Sequence, residues 1–340
     1  MTPHLPLDEL LAAHVQGGPR PVEESIFGTL DPSGMANLVA RAVEEELGVP
    51  ATGGAFYSAS SGCVIGLHTA DGRIVVMKAY QPRWETAFLV GVQRTQRALA
   101  ESGYPCAIPL AGPAPLGHGW ATVESHFPDP GQTGPVQPRL LGASANALAD
   151  LVHTVRGIPP DGLERHPMRG VPGQLYPTPH SPIFDFAGTA EGAEWIDDLA
   201  QASLARRQSA GDLPPVIAHL DWSANNVRLG ASGVRAVYDW DSLALTSEAV
   251  VAGQAAATWR STGETADLDA PEAAEIDAFI AAYATARGRP FSVHETVTAR
   301  AAAVWVMAYT ARCEHALEAR TVSIRTRGRT WLRTQAAKLL

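Results

Sequence analysis

Val216-Ile217-Ala218-His219-Leu220-Asp221-Trp222-Ser223-Ala224-Asn225-Asn226-Val227-Arg228-Leu229 runs through the turn Gly230-Ala231-Ser232-Gly233 into Val234-Arg235-Ala236-Val237-Tyr238-Asp239-Trp240-Asp241. Within it, His219, Asp221 and Asn226 fill an H-x-D-x-x-x-x-N pattern. In phosphoryl-transfer sites that spacing sets a base aspartate and a magnesium-binding asparagine in one loop. Residues 227–229 and 234–238 predict a short hairpin, whose turn returns Asp239 to the side of Asn226. An amide oxygen and a carboxylate then converge with Asp221 on one point. Hard oxygen donors of this kind, completed by phosphate oxygens, suit Mg2+, which keeps few protein ligands. Asp221 would take the proton from an attacking hydroxyl, while the ion offsets charge on the transferred group. The competing reading is a solvated loop beside a core histidine. Three matched positions alone do not exclude it; the hairpin ending in Asp239 weighs against it.

Working outward, the upstream chain has the period of strands. Cys63–Leu67 reads as a strand, Thr69–Gly72 as a hairpin turn and Arg73–Lys78 as the returning strand. Lys78 ends that strand, where its ammonium would reach nucleotide phosphates. Tyr57–Gly62, which contains Ser58, Ser60 and Ser61, reads as a small polar turn whose backbone N–H groups can approach phosphate. A helix is predicted from Pro82 to about Ala100, closed by Ser102-Gly103, and a further strand over Trp120–Glu124. Further upstream, Asp31-Pro32 supplies an N-cap and N1 for a helix carrying Met35, Leu38, Val39, Ala42 and Leu47, stopped by Gly48 and Pro50. Residues 1–30 are set apart as an extension.

Downstream of a Pro/Gly-rich linker at 128–138 the chain turns helical: Arg139–Val155, Ala190–Arg207, Pro271–Arg287 and Val293–Leu317. Ser292 and Glu295 predict a capping box on the last of these. The Pro-rich loop Ile158–Pro182 is too long for a simple connection, which marks it as functional or mobile. Strands first and helices later predict an α+β chain of two lobes. Residues 31–127 form the nucleotide-binding one, and residues 128–340 a helical one with the catalytic loop and acceptor site.

The composition narrows the function. The chain has 340 residues, 46% of them hydrophobic and 18% charged, with a net charge of −9. Enough apolar surface exists to build cores, so disorder is excluded as the main state. A general phosphate-backbone binder needs a basic face and is disfavoured. Cys63, Cys106 and Cys313 form no framework or zinc pattern, which points to a reducing cytoplasm. The amino terminus does not look like a signal peptide, and Ala301–Tyr309 is too short to span a membrane. Glu191, Glu194, Asp197, Asp198, Asp267, Asp269, Glu272, Glu275 and Glu314 would draw an amine-bearing acceptor, although charges at helical spacing more often mark solvated faces. Arg325, Arg327, Arg329 and Arg333 read as a solvated helix end, not a nucleic-acid site.

Taken together, the chain resembles the aminoglycoside phosphotransferase and choline kinase-like branch of the protein-kinase-like superfamily. The resemblance runs from about Gly53 to Trp259. It is carried by the Ser/Gly loop, Val75-Val76-Met77-Lys78, Gly103-Tyr104-Pro105 ahead of Pro109-Leu110, Ala149-Asp150-Leu151-Val152-His153, and the 219–226 and 237–241 motifs. It implies a two-lobed kinase-like fold with ATP held between the lobes. Asp221 would be the catalytic base, Asn226 and Asp239 the Mg2+ ligands, and Lys78 the contact to the α/β-phosphates. Backbone near Val123–His126, Glu124 included, would hold the adenine, and His219 would support the loop. The reaction implied is transfer of the γ-phosphate to a hydroxyl of an aminoglycoside-like molecule, a sugar or an amino alcohol. The alternatives are a catalytically weak pseudokinase that binds nucleotide and a metal-dependent hydrolase using His219, Asp221, Asp239 and Asp241. The chain departs from the family pattern in three places. Gln93, Arg94, Thr95 and Gln96 stand where a helix glutamate would hold the lysine, with Glu85 and Glu101 only at the helix ends. Leu220 replaces a glycine, and Ser247-Glu248-Ala249 replaces a proline and an aspartate.

Overall fold

In a computed structural model of the chain, the described residues are 4–15, 19–128, 137–167, 173–230, 233–261, 270–319 and 327–340. Most of the predicted linker, the turn at 231–232, Asp267, Asp269 and Arg325 lie outside them. The chain divides into two compact units. The first takes Met1–Pro128 together with Arg165–Pro167 and His180–Ile183, and the second takes the remainder. Two short pieces of the Pro-rich loop thus pack with the first unit.

The first unit contains α1 (Leu7–Val15), α2 (Pro21–Phe27), α3 (Pro32–Leu47), β1 (Ala51–Ala59), β2 (Cys63–Thr69), β3 (Ile74–Tyr80), α4 (Thr86–Glu101), β4 (Pro109–Leu116) and β5 (Gly119–Ser125). The strands form one antiparallel sheet in the order β1-β2-β3-β5-β4. Helix α3 starts and stops as predicted. Asp31 Oδ2 accepts the Gly34 N–H at 2.7 Å, and Gly48 ends the helix at φ 68°. Helix α4 begins at Thr86 rather than at Pro82. Side chains alternate across β3. Val75, Met77 and Ala79 join Ala121 and Val123 of β5 in a core closed by Leu10, Leu11, Ile26, Met35 and Val39 from α1–α3. Within the stretch read as an extension, residues 5–15 and 19–27 pack with the sheet, because their apolar side chains complete this core and Leu5 bridges to Gly54 of β1.

The second unit holds α5 (Leu141–Thr154), α6 (Glu194–Ser209), β6 (Pro215–His219), β7 (Val227–Gly230), β8 (Gly233–Val237), β9 (Leu243–Ser247), α7 (Glu248–Thr258), α8 (Ala273–Ala286), α9 (Val293–Glu318) and α10 (Arg327–Leu339). Its strands form two antiparallel pairs, β6 with β9 and β7 with β8. The predicted capping box opens α9, with Ser292 Oγ accepting the Glu295 N–H and Glu295 accepting the Ser292 N–H. Helix α7 is buried almost all round, and Gly253 lies so close to Ala299 of α9 that a Cβ would strike the Ala299 carbonyl. Among the described residues no helix is long and apolar enough to cross a membrane. The antiparallel amino-terminal sheet and the helical carboxyl-terminal region make the α+β arrangement expected from the order of elements.

Candidate active site

The predicted site residues divide between the two units, and each part has its own geometry. In the second unit, β6 ends at His219, whose ring is fully buried. Its Nε2 lies 3.0 Å from the Tyr238 carbonyl, and Trp222 and Trp240 meet the ring edge-on at 5.9 and 5.8 Å. Trp222 in turn donates to Ser144 of α5 at 3.1 Å. The histidine is thus a strut between the loop and the hairpin.

Residues 220–226 are held at both ends. The Leu220 N–H donates to the Ser242 carbonyl, and the Asn225 N–H to the Ser261 carbonyl. Tyr238 N–H donates to the Asn226 carbonyl at 2.9 Å, which locks the loop to the returning strand β8. Arg228 caps the Ala224 and Asn225 carbonyls from β7. Asn226 Nδ2 donates to Asp221 Oδ2 at 2.7 Å and to the Asp221 carbonyl at 3.1 Å. With its amide nitrogen committed to Asp221, Oδ1 is the atom left to meet a cation.

Asp239 follows β8 at φ 60°, ψ 50°, the one left-handed non-glycine among the described residues. An L-residue there costs about 1–2 kcal/mol, and such positions gather at functional sites. Ser242 Oγ donates to Asp239 Oδ2 at 3.0 Å, which fixes one carboxylate oxygen. Asp241 lies half-buried in the short helical turn Trp240–Ser242. Asp221 is exposed, and its carboxyl stands among Asp239, His219, Ser223 and Asn226. Desolvation, and then the negative charge of Asp239, push its pKa above the ordinary carboxylate range; His219, Ser223 and Asn226 pull it back. Two carboxylates and one amide oxygen make a hard donor set suited to Mg2+. Among the described residues no three His, Cys, Asp or Glu groups come together as a metal cage, so such an ion would draw its other ligands from water and phosphate.

In the first unit, Lys78 of β3 is 7% exposed and stands opposite Val64 and Thr122. The polar turn is shorter than expected. Ser58 belongs to β1, opposite Val64, because strand pairing continues to Ala59. Only Ser60–Gly62 turn, with the Ser60 N–H donating to the Gly62 carbonyl at 2.9 Å. Gly62 is required, since a Cβ there would lie 2.5 Å from the Ala79 carbonyl. Gln81, absent from the sequence reading, donates to the Ser61 carbonyl at 2.6 Å and ties down this turn. Glu85 is paired with Arg165 at 2.6 Å, and Glu101 is exposed. A second missed contact joins α4 to β5, where Gln96 Nε2 donates to Glu124 Oε2 at 2.8 Å. No sequence signal marks either glutamine, because both act through elements distant in the chain.

Several acidic residues proposed to attract an amine have structural partners. Asp197 accepts from Tyr176 Oη at 3.0 Å, Glu275 pairs with Arg260 at 3.1 Å, and Glu314 caps the start of α10 by accepting the Gly328 and Arg329 N–H groups. Three basic residues of the tail are likewise engaged. Arg327 donates to Ser261 Oγ, Arg329 pairs with Glu318, and Arg333 lies 4.7 Å over the Trp195 ring.

The profile of the phosphotransferase enzyme family matches residues 64–291. No curated protein sequence matches the chain significantly. Among solved structures, an amicoumacin kinase in complex with AMP-PNP, Ca2+ and Ami superposes with a TM-score of 0.55 at 10% identity, covering 86% of this chain and 87% of its own. A spectinomycin phosphotransferase in complex with ADP and spectinomycin gives 0.52 at 12% identity, covering 89% and 98%. An ethanolamine kinase from Plasmodium vivax gives 0.50 at 10% identity, covering 96% and 92%. At these identities the likeness is one of fold.

Proposed function

Because this chain belongs to the phosphotransferase enzyme family, we propose that it is a small-molecule kinase that moves the γ-phosphate of ATP to a hydroxyl with the help of Mg2+. The observation that carries this reading is the Asp221–Asn226 contact at 2.7 Å beside a left-handed Asp239. Asp221 is the base that takes the hydroxyl proton, and its raised pKa suits that task. Asn226 Oδ1 and the Asp239 carboxylate would hold the ion, which supplies charge neutralisation on the phosphates when bound. In the first unit Lys78 binds the α/β-phosphates, and the Ser60–Ser61 turn offers N–H groups to them. Ser58, at the strand end before this turn, borders the phosphates, and backbone at Val123–His126 receives the adenine. The nucleotides named in the amicoumacin kinase and spectinomycin phosphotransferase complexes favour an adenine nucleotide as donor. The antibiotic kinases and the ethanolamine kinase favour an acceptor that is an aminoglycoside-like molecule, a sugar or an amino alcohol. Three free, buried cysteines fit a reducing cytoplasm.

A screen of amino alcohols, sugars and aminocyclitol antibiotics with ATP or GTP and Mg2+ tests the reading by ADP or GDP release and product mass. The expected result is release that requires Mg2+, stops with chelator and accompanies one phosphoryl group gained by one class of acceptor. Nucleotide binding without consumption over the whole panel would instead favour a nucleotide-dependent binding protein, the reading motivated by the absence of a glutamate from the Gln93–Gln96 stretch of α4.

A further inference from the structure

Gln81 directly follows β3 and is 4% exposed. Its Nε2 donates to the Ser61 carbonyl at 2.6 Å and to the His180 carbonyl at 3.3 Å. Arg83 Nη2 donates to that same His180 carbonyl at 2.8 Å. One buried amide thus joins the Ser60–Gly62 turn to His180–Ile183, a piece of the Pro-rich loop that packs with the same unit. The loop's other piece, Arg165–Pro167, is fastened to the start of α4. There Arg165 pairs with Glu85 at 2.6 Å, and the His166 ring meets Phe88 edge-on at 5.1 Å.

A peptide unit is planar and trans, so its C=O and N–H point in opposite directions. Holding the Ser61 carbonyl on Gln81 therefore aims the Gly62 N–H away from Gln81. Such a hold is needed, because glycine tolerates either orientation of the peptide before it. The rest of the turn is already committed. The Ser60 N–H donates to the Gly62 carbonyl at 2.9 Å, and a Cβ on Gly62 would lie 2.5 Å from the Ala79 carbonyl of β3. Among the described residues no backbone carbonyl accepts from the Ser61 or Gly62 N–H. Successive backbone N–H groups in a turn form a concavity that binds anions.

We propose that Gln81 is a positioning residue for nucleotide binding: by holding the Ser61 carbonyl it presents the Gly62 N–H to the phosphates, and the His180 stretch of the Pro-rich loop braces it in that pose. This rests on the nucleotide-binding reading given above and deepens it. It names the peptide that makes the phosphate contact and gives the Pro-rich loop a task in the same site.

The test reads the Gly62 amide by NMR and nucleotide affinity by calorimetry, both on the full chain. In wild-type protein carrying isotope-labelled glycine, ATP with Mg2+ should move the Gly62 amide proton downfield, as expected for an N–H bonded to phosphate. Adenosine should leave it in place. Gln81→Met keeps the length of the side chain and removes its donor. In that variant ATP should no longer move the Gly62 signal, and ATP binding should weaken about tenfold or more, the scale of one charge-assisted hydrogen bond. Adenosine binding should be unchanged. A Gly62 signal that bound ATP leaves unmoved in the wild type, wild-type ATP affinity in Gln81→Met, or an equal loss for adenosine would overturn the proposal. The wild-type signal decides the matter even where Gln81→Met does not fold. Because binding is read without an acceptor, failure here is separate from failure of phosphate transfer. A wild-type protein that binds neither ATP nor adenosine contradicts the nucleotide reading itself.

Discussion

Asp239 shows how much the site asks of a single residue. Its backbone sits at φ 60° and its carboxylate raises the pKa of Asp221, so it is strained and repelled in the metal-free protein. Asp239→Gly removes both costs and should raise the thermal midpoint of the metal-free protein, by an amount set by about 1–2 kcal/mol of backbone relief less the lost contacts of its side chain, the Ser242 hydroxyl among them. The same change should abolish phosphate transfer. A scanning-calorimetry trace with an unchanged or lower midpoint contradicts the strain argument. At this scale the loop was legible in advance, because H-x-D-x-x-x-x-N and the hairpin that follows are local patterns set by spacing and turn chemistry. The partners of those residues were not. Trp222 meets Ser144 and Asn225 meets Ser261 across gaps that no local period encodes.

Among elements, legibility followed burial pattern. Helix α3 and the β2–β3 hairpin stood out because caps, turn residues and period agreed. Part of strand β1 reads as a turn because Gly53, Gly54, Ser58 and Ala59 break its alternation. Strand β4 carries Pro109, Pro113 and Pro115, and proline is tolerated there because β4 is a sheet edge. Helix α7 has no polar face to reveal a period, being buried on nearly all sides. The first thirty residues read as an extension because α1 and α2 are short, and short helices gain stability from packing and not from propensity. Leu11 is fully buried in the sheet core. Leu11→Ala should cost about 2–5 kcal/mol, measured by urea unfolding. A loss below about 0.5 kcal/mol, the range of exposed sites, would mean that α1 is not part of this core.

For the molecule as a whole, family membership and kinase-like fold converge with a division of labour between the units. The sheet unit carries the buried Lys78 and the Ser60–Gly62 turn, and the helical unit carries Asp221, Asn226 and Asp239, to which the proposed base and oxygen-donor roles fall. Nothing in the net charge of −9 identifies the acceptor, and several of the acids first read as an attraction for amines are instead committed to ion pairs and to a helix cap. The account stands most directly on Asp221. With ATP, Mg2+ and whichever acceptor gains a phosphoryl group, product mass should be compared between the wild-type protein and Asp221→Ala, with ATP affinity measured on both. The account predicts that the variant binds ATP within a few-fold of wild type while phosphorylated product falls by at least about 100-fold, as expected for loss of a general base; near-normal turnover in Asp221→Ala would contradict it.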